Sequence, residues 1–115
     1  MTITRIKPGP RMSQTVVHGD TVYTAGQIAD DSSQDVAGQT HQILAKIDGL
    51  LAEAGTDKSK LLKATIWLSD ISTFSEMNSI WDAWVDQGNT PVRACVESKL
   101  AMPELTVEIM VEAAK

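Results

Sequence analysis

The sequence predicts one α+β domain over residues 1–115, with two helices packed on one face of a mixed β-sheet. Its 115 residues suit a single typical domain. Runs of β-rich residues occur near both ends and in the middle of the chain. Two further segments carry the three- and four-residue apolar spacing of amphipathic helices. The predicted order is strand-strand-helix-strand-helix-strand-strand, because helices that each bury one stripe cover one face of a sheet.

The N-terminal region predicts a hairpin. Residues 1–10 are expected to be an extended entry segment that ends at Pro8-Gly9-Pro10. Two β-rich runs, 15–18 and 21–24, flank Gly19-Asp20, where glycine supplies the positive φ of a tight turn. Gly26 follows the second run directly, and a glycine there indicates a bulge or a close approach of the backbone to another group.

The first helix is predicted to begin after the polar stretch 30–35 and to end at Gly55, a residue suited to the position after a helix. The segment 61–68 is β-rich and is predicted to be a strand. The helix is recognised by one apolar stripe, formed by Val36, Thr40, Ile43, Leu44, Ile47, Leu50, Leu51 and Ala54.

The C-terminal half predicts a second helix and two strands. Thr73 and Glu76 have the spacing of a capping box, and Gly88 is expected to end the helix they begin. A strand follows over 92–98, and a final strand over 105–113 has apolar residues at every second position.

Composition and charge exclude several classes of function. The net charge of −5 and the pI of about 4.8 argue against a nucleic-acid partner, since phosphate binding needs a concentrated basic surface. The single cysteine cannot form an internal disulfide, which fits a reducing, cytoplasmic setting. No apolar run approaches the roughly 20 residues that span a bilayer, and residues 1–10 lack the apolar core of a signal peptide. A membrane partner is therefore not expected.

Arg93 and Glu108 are the strongest candidates for chemistry. They lie on the last two predicted strands, which are close enough in sequence to form a hairpin. If these strands pair, a guanidinium and a carboxylate line one pocket. An arginine fork binds a carboxylate at two points, and a partly desolvated glutamate can move protons or orient water. An ion pair between the two on a solvated sheet face accounts for the same spacing, so both interpretations stay open here.

Cys95 is the only thiol, and a nucleophilic role would require a neighbouring base. His18 and His41 are the only histidines, and neither has a sequence context that places it beside Cys95. A semi-buried, unreactive thiol is therefore favoured. The same three residues are too far apart to predict a metal site, and no nucleotide-binding or esterase motif occurs.

Four segments together resemble the Rid family, also called YjgF/YER057c/UK114. The run Pro91-Val92-Arg93-Ala94-Cys95-Val96-Glu97, followed by Val107-Glu108-Ile109, resembles the C-terminal signature of that family. Ala25-Gly26-Gln27-Ile28 resembles its Ser-Gly-Gln-Ile segment, and Phe74 to Asn78 resembles the start of its second helix. The similarity extends over nearly the whole chain, with the segments in the family's order.

This resemblance implies a chorismate-mutase-like fold and a homotrimer with clefts between subunits. It also implies an imine/enamine deaminase that needs no cofactor and no metal. Such an enzyme hydrolyses reactive 2-imino acids, or enamines such as 2-aminoacrylate, to 2-keto acids and ammonia. Imine hydrolysis is already easy in water, so positioning and one proton relay suffice.

The resemblance also assigns roles to individual residues. Arg93 would bind the substrate carboxylate, and Glu108 would position the attacking water. Cys95 would line the site, mainly through its backbone. Gly26 would bring backbone close to the ligand, and Asn78 would support the cleft from the neighbouring subunit.

Two positions depart from the family pattern. The serine of Ser-Gly-Gln-Ile is Ala25 here, and a tyrosine common near the cleft is replaced by Met12 or is absent, depending on the alignment gap. Both changes make the pocket less polar. They suggest a divergent subfamily with a preference for bulkier or more apolar imino acids. The alternative is a trimeric protein that binds a small carboxylate metabolite without turnover.

Overall fold

The computed structural model describes residues 1–115 as one six-stranded mixed sheet with two α-helices. The strands run in the spatial order β1-β2-β3-β6-β4-β5, and only the β4–β5 pair is parallel. This confirms the predicted α+β class and its mixed sheet. In chain order the elements are β1 (Ile3–Pro8), β2 (Ser13–His18), β3 (Thr21–Thr24), α1 (Val36–Glu53), β4 (Leu61–Leu68), α2 (Phe74–Trp84), β5 (Val92–Glu97) and β6 (Val107–Ala114).

The first strand was not expected from the sequence. Residues 1–10 are extended, as predicted, but they also pair with β2 in antiparallel register from Ile3 opposite His18 to Pro8 opposite Ser13. β1 forms one edge of the sheet, and of its residues only Ile6 packs against the core. An edge strand with mostly exposed side chains carries little of the apolar alternation that identifies a strand in sequence.

The other N-terminal predictions are confirmed. β2 and β3 form the hairpin, and Gly19 in its turn has a φ of 61°. Asp35 caps α1 by accepting a hydrogen bond from the Gly38 amide at 2.9 Å. The helix gives way to Gly55, whose φ of 84° is the left-handed conformation that glycine adopts without steric cost.

The helix α2 begins directly after Thr73, as predicted, but the predicted capping box and the predicted end at Gly88 are both wrong. The Thr73 side chain makes no capping bond to the helix, and its hydroxyl donates instead to the Asp70 carbonyl. A short 3₁₀ turn over 71–73 leads into α2. The helix ends at Trp84, well before Gly88, because Val85 turns into extended backbone and becomes buried in the core.

The core lies between the helices and one face of the sheet. The alternate residues of β6 from Val107 to Ala113 are all buried, together with Leu105, as the sequence predicted. Ala64, Ile66 and Leu68 of β4 are completely inaccessible on the same face. Each large aliphatic side chain buried in this way contributes about 1.5–3 kcal/mol of hydrophobic stabilisation. Neither helix has the length and apolarity that crossing a bilayer requires.

The last two strands do not form a hairpin. β4 lies between β5 and β6, pairing in parallel with β5 and antiparallel with β6. Helix α2 supplies the crossover connection that a parallel pair requires. β6 takes the central position because one of its faces is fully apolar, whereas β5 remains at the edge with Val92 and Val96 exposed.

The second face of the sheet carries no helix. We call it the open face, and its residues are identified by strand register: Val96 lies beside Trp67, and Trp67 lies opposite Glu108. Val92 on this face is 70% exposed, and Tyr23 and Met110 are also exposed. The single chain therefore leaves several apolar side chains of its sheet in solvent.

Candidate functional site

Arg93 projects from β5 towards α2, on the helix-covered side of the sheet. One of its terminal nitrogens, Nη1, donates to the Asn78 side-chain oxygen at 2.8 Å. The guanidinium carbon lies 5.5 Å from the centre of the Trp81 ring and 5.7 Å from that of Phe74. These distances allow cation–π attraction, which fixes the guanidinium against the helix. We call Arg93, Asn78, Phe74, Trp81 and Cys95 the arginine half-site.

No carboxylate of the same chain pairs with Arg93. The two ion pairs of the chain are Lys7–Glu53 and Lys46–Asp30. A guanidinium has five N–H donors, and only one of them is used by a protein side chain here. The interpretation of Arg93 and Glu108 as an ion pair is therefore wrong, and the charge of Arg93 stays available to an anion.

Cys95 follows Arg93 on the same face of β5 and packs against the core. Burial raises the pKa of its thiol, and the positive charge of Arg93 only partly opposes this effect. The thiol is therefore protonated at neutral pH, which disfavours a nucleophilic role. His18 on β2 and His41 on α1 belong to other parts of the fold and supply no base beside it.

Glu108 projects from β6 onto the open face, where its carboxylate lies against Gly26. A Cβ atom built on Gly26 would overlap the Glu108 carboxylate oxygen Oε2. Burial raises the pKa of Glu108, and no cation pairs with it to oppose that effect. The close approach that the sequence indicated at Gly26 is thus an approach to this carboxylate.

The segment around Gly26 is anchored to its neighbours by the backbone. Gln27 exchanges two backbone hydrogen bonds with Ile109, at 2.8 and 3.1 Å, and Ala25 donates to the Gln14 carbonyl at 2.8 Å. We call Glu108 with Ala25, Gly26 and Gln27 the glutamate half-site. Met12, 53% exposed, lies in the β1–β2 loop two residues before Gln14 and so near the same segment.

The two half-sites are separated within one chain. Arg93 pairs with Ala64, whose side chain lies on the helix-covered face, whereas Glu108 pairs with Trp67 on the open face. Two inter-strand spacings, about 9.6 Å, separate β5 from β6, and the thickness of the sheet adds to this distance. A small substrate cannot contact both side chains of the same chain.

Sequence reasoning placed Arg93, Cys95 and Asn78 among the site residues, and the fold brings these three together within one chain. The resemblance implied that Asn78 acts from the neighbouring subunit, whereas here it bonds to Arg93 of its own chain. Sequence reasoning also named Gly26, Ala25 and Glu108, which form the other group. It gave no role to Gln27. The positions of Phe74, Asn78 and Trp81 at four- and three-residue steps on one helix face could have indicated that all three meet one side chain.

A family model described as Endoribonuclease L-PSP matches residues 2–115. The RutC family protein YoaB of Escherichia coli is 43% identical over 114 residues, which are 99% of each chain. The solved structure of the Rid-family protein YyfA from Yersinia pestis is 30% identical, with a TM-score of 0.88 over 99% of this chain and 100% of that one. The chain belongs to the Rid (YjgF/YER057c/UK114) family.

The family similarity holds along the whole Rid domain. The structure of NMB1025, a YjgF-family member from Neisseria meningitidis, is 43% identical, with a TM-score of 0.97, covering 100% of this chain and 96% of that one. A RutC family protein of Haemophilus ducreyi is 44% identical over 112 residues, or 97% of this chain and 96% of its own. The mixed sheet with two helices on one face is therefore the Rid-family fold.

Proposed function

We propose that this chain hydrolyses reactive 2-imino acids, or their enamine tautomers, to 2-keto acids and ammonia. One observation carries the proposal: the Arg93 guanidinium is half-buried, held by Asn78 and two aromatic rings, and paired with no carboxylate. Membership in the Rid family supports the reaction class. The reaction needs water alone, without a cofactor or metal, and we assign it to the cytoplasm.

Arg93 supplies the anchor for the substrate carboxylate. Its fixed fork offers two parallel N–H donors, which match the two oxygens of a carboxylate. The rings of Phe74 and Trp81 limit the motion of the guanidinium, so little conformational freedom is lost when an anion binds. Cys95 borders this anchor as a protonated thiol.

Glu108 supplies the proton relay. A carboxylate whose pKa is raised by burial is a stronger base than an exposed one, so it can accept a proton from water near neutral pH. The water oxygen then adds to the carbon of the protonated imine and forms a carbinolamine. The carbinolamine nitrogen takes the proton back from Glu108, the C–N bond breaks and ammonia leaves, while the hydroxyl group releases its proton to solvent as the carbonyl forms.

We further propose that each site is shared between copies of the chain in a homotrimer. The half-sites lie on opposite faces of one sheet, so one substrate can reach both only if Arg93 comes from one copy and Glu108 from the next. The exposed apolar residues of the open face, Tyr23, Val92, Val96 and Met110, would be covered in such an assembly. A closed ring of identical chains uses the same contact at each boundary.

Ala25 and Met12 make the proposed pocket less polar than the family pattern. We expect a preference for imino acids with apolar side chains over the smallest ones. The ribonuclease activity in the family model's name has no support in the charge of this chain, which is −5.

A coupled assay tests the reaction. An L-amino-acid oxidase generates imines from a panel of amino acids, and semicarbazide competes for them. The protein is expected to lower semicarbazone formation, most strongly for apolar amino acids. Arg93→Ala should abolish this effect, because the substrate loses its carboxylate anchor. Arg5→Ala, which removes an exposed arginine from the opposite edge of the sheet, should retain it.

Full activity in Arg93→Ala would contradict the proposed anchor. If the unaltered protein shows no effect with any amino acid, calorimetry with a 2-keto acid tests the alternative, a binding protein without turnover. Ala25, which lacks the serine hydroxyl of the family pattern, is the observation that favours this alternative. Binding that disappears in Arg93→Ala would then support it.

A further inference from the structure

We infer that Gln27 is a positioning residue that holds the Ala25–Gln27 segment against Glu108 and so keeps its carboxylate partly shielded from water. The inference concerns the geometry of the glutamate half-site. Its consequence for catalysis rests on the proposed imine hydrolysis, whereas its consequence for Glu108 itself does not. Gln27 lies in the Ala25-Gly26-Gln27-Ile28 segment, in which the family resemblance assigns it no role.

Gln27 is a buried amide in a connecting segment. It is 4% exposed, although it lies outside the named strands. Its side-chain nitrogen donates to the Gln14 side-chain oxygen at 2.9 Å and to the Ala25 carbonyl at 3.1 Å. A buried polar group that loses its partners costs about 1–3 kcal/mol, so these bonds hold the amide in one place.

The backbone of Gln27 ties the same residue to the strand that carries Glu108. Both backbone bonds join Gln27 to Ile109, the residue that follows Glu108 in β6. Ala25 is fixed on the other side through its bond to the Gln14 carbonyl. Gly26 therefore lies between two anchored residues, with no room for a side chain between its backbone and the carboxylate.

Packing alone does not hold this segment. A cavity of about 350 Å³ lies beside Gln27 and Gln14, bounded by α1 residues Lys46, Gly49 and Leu50. A side chain at position 27 without hydrogen bonds has room to move into this cavity. The amide bonds to Gln14 and Ala25 therefore act together with the backbone bonds to fix the position of Gly26.

The consequence for Glu108 is electrostatic. Its pKa is raised by burial alone, and the Ala25–Gln27 segment forms one wall of its surroundings. If the segment moves away, the carboxylate becomes better solvated and its pKa falls towards the ordinary value. No other charged side chain pairs with Glu108 to compensate.

Gln27→Met tests the inference, because methionine has a similar length but cannot donate a hydrogen bond. The pKa of Glu108 is measured by NMR titration of carboxyl-labelled glutamate, with Glu108→Gln identifying its resonance. We expect Gln27→Met to lower the Glu108 pKa. The control is Thr56→Val, which removes a buried hydrogen bond to the Ala114 carbonyl at the far end of β6 and should leave the Glu108 pKa unchanged.

The same variants separate positioning from general loss of stability. If the protein hydrolyses imines, Gln27→Met should lower kcat by about 10- to 100-fold with little change in KM, since Arg93 is untouched. Thr56→Val should keep both parameters. If Gln27→Met fails to fold, Gln14→Leu removes one of the two amide bonds and should shift the Glu108 pKa in the same direction by less.

An unchanged Glu108 pKa in folded Gln27→Met, or in Gln14→Leu where the first variant does not fold, would overturn the inference. A lowered pKa without imine hydrolysis by the unaltered protein would support the role of Gln27 while the proposed function fails. The titration thus tests the positioning role without any assumption about the substrate.

Discussion

At the scale of single residues, folding makes the charged form of the Glu108 carboxylate less stable than it is in water. Burial raises its pKa and no cation stabilises its charged form. In the unfolded chain the same group is solvated and titrates at its ordinary value. Proteins tolerate such groups at functional sites, where a perturbed pKa suits proton transfer.

This raised pKa predicts how Glu108→Gln changes stability with pH. The folded-state pKa lies above the unfolded value, so the folded protein binds the proton more tightly. The stabilisation this gives is present below the unfolded pKa and is lost as the pH rises through the folded pKa. Glu108→Gln should therefore be more stable than the unaltered protein at pH 7, and this difference should shrink as the pH falls towards 4.

Urea denaturation of both proteins across this pH range checks the prediction. Glu112→Gln is the matched control, because Glu112 lies on the same face of β6, four residues further along the strand, and does not contact Gly26. A Glu108→Gln variant that is less stable at pH 7 than at pH 4, relative to the unaltered protein, would contradict it.

At the scale of secondary-structure elements, the two helices begin by different means. Asp35 caps α1 through a side-chain bond to the Gly38 amide, whereas Thr73 makes no such bond to α2. We expect Asp35→Ala to destabilise the protein by about 1 kcal/mol, because a first-turn amide loses its partner. Asp35→Asn should retain most of the stability, since asparagine also caps well.

Thr73→Ala provides the comparison at the other helix. The Thr73 hydroxyl donates to the exposed Asp70 carbonyl, and in Thr73→Ala a water molecule can donate to that carbonyl instead. We therefore expect a smaller loss of stability than in Asp35→Ala. Chemical denaturation measures both variants. A loss of stability in Thr73→Ala as large as that in Asp35→Ala would instead support the capping box that the sequence predicted.

These elements show which local signals a sequence carries. The stripe of α1, the turn at Gly19 and the alternation of β6 depend on neighbouring residues, and all three were predicted correctly. The pairing of β1 and the insertion of β6 beside β4 depend on contacts between distant parts of the chain. No local pattern distinguishes that arrangement from a hairpin of the last two strands.

In the candidate site, too, the sequence indicates individual residues but not the arrangement that depends on distant contacts. The resemblance supplied the identities of Arg93, Asn78, Gly26 and Glu108. It could not give the opposite orientation of Arg93 and Glu108, because that follows from β4 lying between their strands. Gln27 was missed because a glutamine beside a strand has no distinctive signal until its partners, Gln14 and Ala25, are known.

At the scale of the whole molecule, a shared site predicts that two inactive variants restore each other. Arg93→Ala and Glu108→Gln should each lack activity as pure proteins. Refolded together in equal amounts, they should regain activity at about a quarter of the sites, where an intact arginine meets an intact glutamate across a subunit boundary. The assay with oxidase and semicarbazide measures the recovery.

The control for this experiment is the double variant Arg93→Ala/Glu108→Gln, refolded with Arg93→Ala. No site in that mixture contains an intact arginine, so no activity should return. If the two single variants form mixed assemblies, shown by native mass spectrometry, yet recover no activity, the shared site is wrong and each chain acts alone.

The placement of Arg93 and Glu108 on opposite faces of one sheet also has a genetic consequence. In a closed ring, a chain altered at both positions damages two sites, one that lacks its arginine and another that lacks its glutamate. A cell that makes equal amounts of normal and doubly altered chains would retain about a quarter of its working sites rather than half. The altered allele would therefore be partly dominant, although it encodes a protein that folds and assembles normally.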